Sequence, residues 1–145
     1  MRHSAGFSLL EVLIVVTIIG MLAAMGLPSL LEALDRGRQT STVADMKEIS
    51  TALERYAVDY QKYPEVEAFL ELRPLLEPKY IKKLPREDGW GHAFTYGAEE
   101  EGGAYRLSSP GKDGEWEGAG EEKEKDFDSD IICVDGVFLD EEDEA

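Results

Sequence analysis

Residues 7–27 read FSLLEVLIVVTIIGMLAAMGL, and the character of the whole chain follows from this stretch. One charge, Glu11, stands among 21 residues that are otherwise apolar or small. As a helix rising about 1.5 Å per residue, the stretch spans roughly 31 Å, the thickness of a bilayer's hydrocarbon core. A secretory signal peptide is one alternative, but its apolar region runs about 7–15 residues and ends in a small-x-small cleavage site. Ala24-Met25-Gly26 matches such a site only loosely, and the apolar run is too long. A buried core helix is the other alternative, yet the 118 residues that follow have only modest apolar content. The reading is therefore a membrane-spanning helix.

Glu11 is the exception within it. A carboxylate at mid-bilayer costs on the order of 2.5–3.5 kcal/mol on insertion scales, less near the interface, so it needs either water or a cation. No Lys or Arg lies between Phe7 and Asp35, and only Arg2 and His3 precede the segment. Snorkelling to the interface is one answer. A cut after Gly6 is another, because it would create an α-ammonium on Phe7 at the membrane face where Glu11 sits.

Gly6-Phe7-Ser8-Leu9-Leu10-Glu11, with a short basic leader before it and a long apolar helix after it, resembles the type IV prepilin signal of pilins and secretion pseudopilins. The resemblance implies that a prepilin peptidase cuts after Gly6 on the cytoplasmic side and N-methylates Phe7. A glycine suits that position because it has no Cβ to obstruct a close backbone approach. The resemblance further implies that Glu11 pairs with the N-terminus of a neighbouring subunit during filament assembly. Pairing with the Phe7 ammonium of its own chain, four residues away on one helix face, is the alternative. Arg2 places the leader in the cytoplasm by the positive-inside tendency, and the remainder on the periplasmic side of the inner membrane.

Beyond the apolar run, Pro28 would remove one helical hydrogen bond and is expected to kink or locally melt the helix. The helix then resumes: Met46, Ile49, Leu53, Tyr56, Tyr60 and Tyr63 follow spacings of three and four and make an apolar stripe. Lys47, Glu48, Glu54, Arg55, Asp59 and Lys62 lie between them and suit solvent, and Pro64 closes the pattern. Ten of the fourteen glycines lie beyond Asp88, so turns are frequent there. Residues 65–84 suggest a short helix and connecting turns. Residues 92–98 and 104–109 read as a hairpin, and 131–134 with 137–139 as a last strand or strand pair. A long helix followed by a small antiparallel sheet is an α+β arrangement.

The second half resembles the major pseudopilins of type II secretion. The resemblance rests on Tyr80-Ile81-Lys82-Lys83-Leu84-Pro85, then Asp88-Gly89-Trp90-Gly91-His92, then Tyr105 to Gly114 as YRLSSPGKDG. The departures are Gly89 where that family usually has proline, His92 for asparagine, a longer insertion before Asp130, and an added acidic tail. It implies a type IV pilin-like fold divided into a leader (1–6), a transmembrane and filament-core helix (7–27), its amphipathic continuation (28–63), a head (64–139) and a tail (140–145). It also implies a homopolymer with minor pseudopilins at the tip, acting with prepilin peptidase, an inner-membrane secretion platform and inner-membrane lipid.

The chain is 145 residues with a formal charge of −16, which excludes affinity built on nucleic-acid phosphates. Residues 113–145 hold fifteen Asp and Glu against Lys123 and Lys125, a net of −13. Such an acidic, glycine-containing run is either solvated or offset by a hard cation; calcium takes six to eight oxygens from carboxylates and carbonyls in flexible geometry. The pseudopilin resemblance favours calcium in a loop of about 108–131. It points to Asp113 and Asp130 as side-chain ligands, Asp128 as a third, and carbonyls near Pro110 and Glu115. The insertion leaves other carboxylates between 115 and 126 able to replace a ligand. Residues 140–144 read as a solvated end.

Catalysis has little to draw on. His92 is the sole histidine after leader removal and reads as a surface turn residue, and Cys133 reads as a small buried hydrophobe. Nucleophile-elbow, phosphate-loop and zinc-protease patterns are all missing. The expected function is that of a non-enzymatic filament subunit in protein secretion. A type IV pilin or a monomeric calcium-binding anchor is the alternative.

Overall fold

A computed structural model describes residues 6–116 and 127–139. Most of the leader, the middle of the acidic insertion and the acidic tail lie outside the described residues. The chain divides into two units, Met1–Leu34 and Asp35–Ala145.

The first unit carries the opening half of α1, Leu9–Tyr60, a helix of 52 residues. Its large apolar side chains, including Leu13, Ile14, Val15, Ile18, Leu22 and Leu34, are all exposed in the isolated chain. A helix this long and apolar with none of its apolar window buried has lipid or other helices as its natural surroundings. Thr17 removes its one polar group from view by donating its hydroxyl to the carbonyls of Leu13 and Ile14. The helical run is unbroken at Pro28, so the expected local melt is absent here. The apolar residues on either side favour helix wherever water cannot satisfy a freed backbone group.

In the second unit the apolar stripe is realised in part. Met46, Ile49 and Leu53 are fully buried and Tyr56 is half-buried, whereas Tyr60 is exposed and stacks on Tyr56 with ring centroids 4.3 Å apart. The six charged residues named between them are all exposed, as expected. The helix ends three residues before the stripe does. Gln61 takes a left-handed φ of 60°, the usual way a helix terminates, and Tyr63 reaches the core from beyond that turn. A 3₁₀ turn at Phe69–Leu72 leads into the single-turn helix α2, Arg73–Leu76. Together these bury Phe69, Leu72 and Leu76.

Four antiparallel strands complete the head in the order β1 (Thr95–Glu99), β2 (Ala104–Ser109), β3 (Ile131–Val134) and β4 (Val137–Phe138). The hairpin and the final strand pair thus form as predicted, with β1 starting three residues late because 87–93 makes its own turn, closed by the Glu87–Ala93 bridge. The register sets Tyr96 opposite Leu107 and Leu107 opposite Cys133. Because strand side chains alternate faces, Phe94, Tyr96, Tyr105, Leu107 and Cys133 fall on one side. They join Met46, Ile49 and Leu53 in one buried cluster. Cys133 lies 3.4 Å from the Ser50 hydroxyl, and burial pushes its thiol pKa up, which makes it an inert core group as expected.

Candidate functional site

The residues singled out from the sequence lie in two places, one in each unit. At the amino end, Phe7 is almost fully exposed and precedes the helix, with Gly6 just ahead of it in non-helical backbone. Glu11 sits in the first turn of α1. Its Oε2 accepts the backbone N–H of Ser8 at 2.9 Å, and the Ser8 hydroxyl accepts the N–H of Leu10. The carboxylate therefore satisfies a donor that the helix start leaves open, in the manner of a capping box. A helix N-terminus also favours a negative group electrostatically. Glu11 thus has a same-chain role in the uncut sequence, and it points toward the place where a new amine on Phe7 would arise.

The second place is the start of the acidic loop, where residues far apart in sequence are tied together. Asp88 is buried; its Oδ1 accepts the N–H groups of Trp90 and His92 at 2.9 Å each, and its Oδ2 accepts the Ser109 hydroxyl at 2.7 Å. That carboxylate fixes the 88–92 turn to the end of β2. His92 lies in the expected turn with about a third of its side chain exposed, and its Nδ1 donates to the Gly111 carbonyl at 2.8 Å. Asp35, also buried, accepts from Trp90 Nε1 at 3.3 Å and from Lys112 Nζ at 2.9 Å. The Lys112 ammonium, with help from Trp90 and Arg38, holds the Asp35 carboxyl below its ordinary pKa. Lys112 adjoins Asp113, so α1 anchors the loop one residue from its first acidic member.

Both limbs of the loop meet at Gly111. Its φ is +71°, and a Cβ there would lie 2.6 Å from the Ser129 carbonyl oxygen and 3.0 Å from those of Asp128 and Phe127. The Lys112 N–H donates to the Phe127 carbonyl at 2.8 Å. Three carbonyl oxygens therefore converge on a position only glycine can occupy. Asp113 and Glu115 are exposed, with the Glu115 N–H donating to Asp113 Oδ1 at 2.9 Å. Pro110, Asp128 and Asp130 are half-buried, and the Oδ1 of Asp130 is shielded from solvent. Among the described residues no three His, Cys, Asp or Glu side chains gather closely enough to hold a metal. What the fold does bring together at Gly111 is three carbonyl oxygens of the second limb, those of Phe127, Asp128 and Ser129.

Asp35, Asp88, Thr42 and Lys112 are the anchoring residues that sequence reasoning did not identify. Thr42 is fully buried in α1 and accepts the N–H of Gly89 at 2.9 Å. A lone polar residue just beyond a membrane segment, or on a helix face otherwise given to the core, was the available signal.

Comparison with known proteins gives a consistent result. The family described as "Type II secretion system (T2SS), protein G" matches residues 29–127, and the prokaryotic N-terminal methylation motif matches residues 1–27. The "Type II secretion system core protein G" of Pseudomonas aeruginosa is 36% identical over 124 residues, covering 78% of this chain and 87% of that protein. The core protein G of Vibrio cholerae is 35% identical over 130 residues, 83% of this chain and 88% of its own. That of Escherichia coli is 36% identical over 121 residues, 76% and 83% respectively. With an amino-terminal methylation motif, an exposed apolar helix and an α+β head of four antiparallel strands, this chain belongs to the type II secretion system protein G family of pseudopilins.

Proposed function

We propose that the chain is the repeating subunit of a periplasmic pseudopilus that moves proteins across the outer membrane, and that its work is polymerisation, not chemistry. The observation that carries this reading is the amino-terminal half of α1, whose large apolar side chains are all exposed while the head has a complete core of its own. Such a helix is stored in the inner membrane as a single span, with the head in the periplasm. It leaves lipid only for an equally apolar surface, and further copies of itself supply one. Minor pseudopilins, prepilin peptidase and the inner-membrane platform are the partners this role requires.

Prepilin peptidase would cut between Gly6 and Phe7 and methylate the new amine. Glu11 would then exchange its bond to the Ser8 N–H for the Phe7 ammonium of an adjoining subunit, offsetting two charges that are costly in an apolar spine. Replacing Glu11 by Ala should abolish filament formation in cells carrying the secretion platform, while the head keeps the far-ultraviolet circular dichroism of the wild type. Normal filaments from that variant would refute the role of Glu11, and a monomeric anchor would not respond to the change at all.

Calcium belongs to the same reading. Asp113 and Asp130, with Asp128 and the carbonyls of Pro110 and Glu115, would hold it, and when bound it would offset repulsion among the loop carboxylates. The protein's own residues prepare the loop without it: Gly111 lets the limbs approach, His92 holds the Gly111 carbonyl, and Lys112 fixes the first limb to Asp35.

A further inference from the structure

The apolar exposure of α1 does not stop where the uninterrupted apolar sequence does. Beyond Pro28, Leu30, Leu31 and Leu34 are 57%, 52% and 51% exposed, matching the 57% of Leu27. Leu34 closes the first unit, and Asp35, the next residue of the same helix, opens the second. The apolar run and the head are therefore joined by consecutive helical residues.

Bilayer thickness decides how much of that run lipid can cover. Glu11 marks one edge, because a carboxylate costs least near an interface. From Glu11 to Leu34 the helix measures roughly 35 Å, or roughly 32 Å along the bilayer normal at the usual tilt of about 20°. That reaches the far edge of a hydrocarbon core about 30 Å thick. Leu27 reaches only roughly 23 Å on the same reckoning and stays inside the core. Glu32 falls at the far edge, where its carboxylate meets water.

The part of the head tied to Asp35 then lies at headgroup depth. Trp90 donates its indole N–H to Asp35 at 3.3 Å, and Lys112 pairs with the same carboxylate at 2.9 Å while about half of its side chain stays exposed. Trp90 itself is half-buried. An indole with one face left open, beside an ammonium, suits the boundary between hydrocarbon and water. Arg36, Arg38 and Lys112 are matched there by Glu32, Asp35 and Asp113, and the Asp88 carboxylate is buried and committed to Ser109, Trp90 and His92. The depth of the apolar run, not net charge, thus sets the contact. We infer that the subunit, before it joins a filament, rests its head on the periplasmic leaflet: lipid covers α1 as far as Leu34, and the Trp90–Lys112 end of the head lies on the headgroups. This inference rests on the membrane-span reading and deepens it.

The test uses the full chain reconstituted in phosphatidylcholine vesicles, with an environment-sensitive fluorophore on a single introduced cysteine: Ile18→Cys, Leu31→Cys, Leu34→Cys or Ala44→Cys. The unsubstituted chain, whose Cys133 is buried, gives the labelling background. Labels at 31 and 34 should be blue-shifted like that at 18 and lose most of the quenching by aqueous iodide seen at 44. In a Trp116→Phe chain, Trp90 emission should be quenched by headgroup-attached nitroxide, equally with or without added phosphatidylglycerol and in low or high salt. Labels at 31 and 34 as open to iodide as at 44, with 18 still protected, would overturn the inference and leave the span intact. Trp90 untouched by the headgroup nitroxide, or quenched only with anionic lipid, would overturn the head contact. A label at 18 open to iodide would bring down the span reading as well.

Discussion

Asp35 shows how a single side chain carries more than its sequence context suggests. It follows the apolar run as an ordinary charged residue, yet it is buried and joins Trp90 and Lys112 to the spine helix. Its folded-state pKa is depressed, so its contribution to stability is complete above the unfolded value of about 3.9 and disappears as pH falls through the folded value. Asp35→Asn should therefore lower the melting temperature at pH 7, and the gap from wild type should close as the buffer is taken below about pH 4; a gap independent of pH would mean the charge is not what matters. Gly111→Ala faces both a left-handed backbone and a collision with the Ser129 carbonyl, and should cost more than about 1–2 kcal/mol in chemical denaturation. Gly89 is a sharper case, because the resemblance noted in the sequence led to the expectation of proline there. In this chain its N–H bonds Thr42 and any Cβ would collide with the Arg38 carbonyl, so Gly89→Pro should destabilise the protein. An unchanged melting temperature would show that α1 shifts readily at this point. None of these roles was legible in sequence, since each depends on a partner in a distant part of the chain. Gly6, Phe7 and Glu11, by contrast, are legible because their meaning lies in one short contiguous motif.

At the scale of elements, periodicity served well where one physical requirement acted alone. The spacing that placed Met46, Ile49 and Leu53 on one face places them in the core, and Leu53→Ala should cost about 2–5 kcal/mol by leaving a cavity. Equilibrium denaturation with urea measures this directly, and a loss below about 1 kcal/mol would mean that the helix is not the head's principal packing surface. The same pattern ran past the true helix end, because tyrosine can stack on a surface as well as fill a core. Tyr60 remains outside on Tyr56, near Lys79, whose ammonium also pairs with Asp59 at 2.7 Å. Tyr63 re-enters after the turn at Gln61, and its N–H donates to the Gly102 carbonyl of the hairpin loop. At Pro28 the lost hydrogen bond argued for a kink or a local melt, and of these the melt does not occur: an apolar stretch with no other way to satisfy its backbone remains helical across it.

For the molecule as a whole, the acidic loop and the apolar spine have separate tests. If calcium joins the two limbs that meet at Gly111, it stabilises the folded head by mass action, about 2.7 kcal/mol at a hundred times its dissociation constant. The melting temperature of the head transition should rise with added calcium, fall with chelator, and respond less in an Asp113→Ala, Asp130→Ala variant; identical curves with and without the ion would remove calcium from the account. The spine bears the larger claim, because every later step requires the amino-terminal helix to be trimmed, methylated and then covered by copies of itself. Mass analysis of the protein taken from its native membrane addresses that claim at its first step. The account predicts a chain that begins at Phe7 and carries one added methyl group on its amine; a chain that keeps Met1 in cells possessing the peptidase would contradict it.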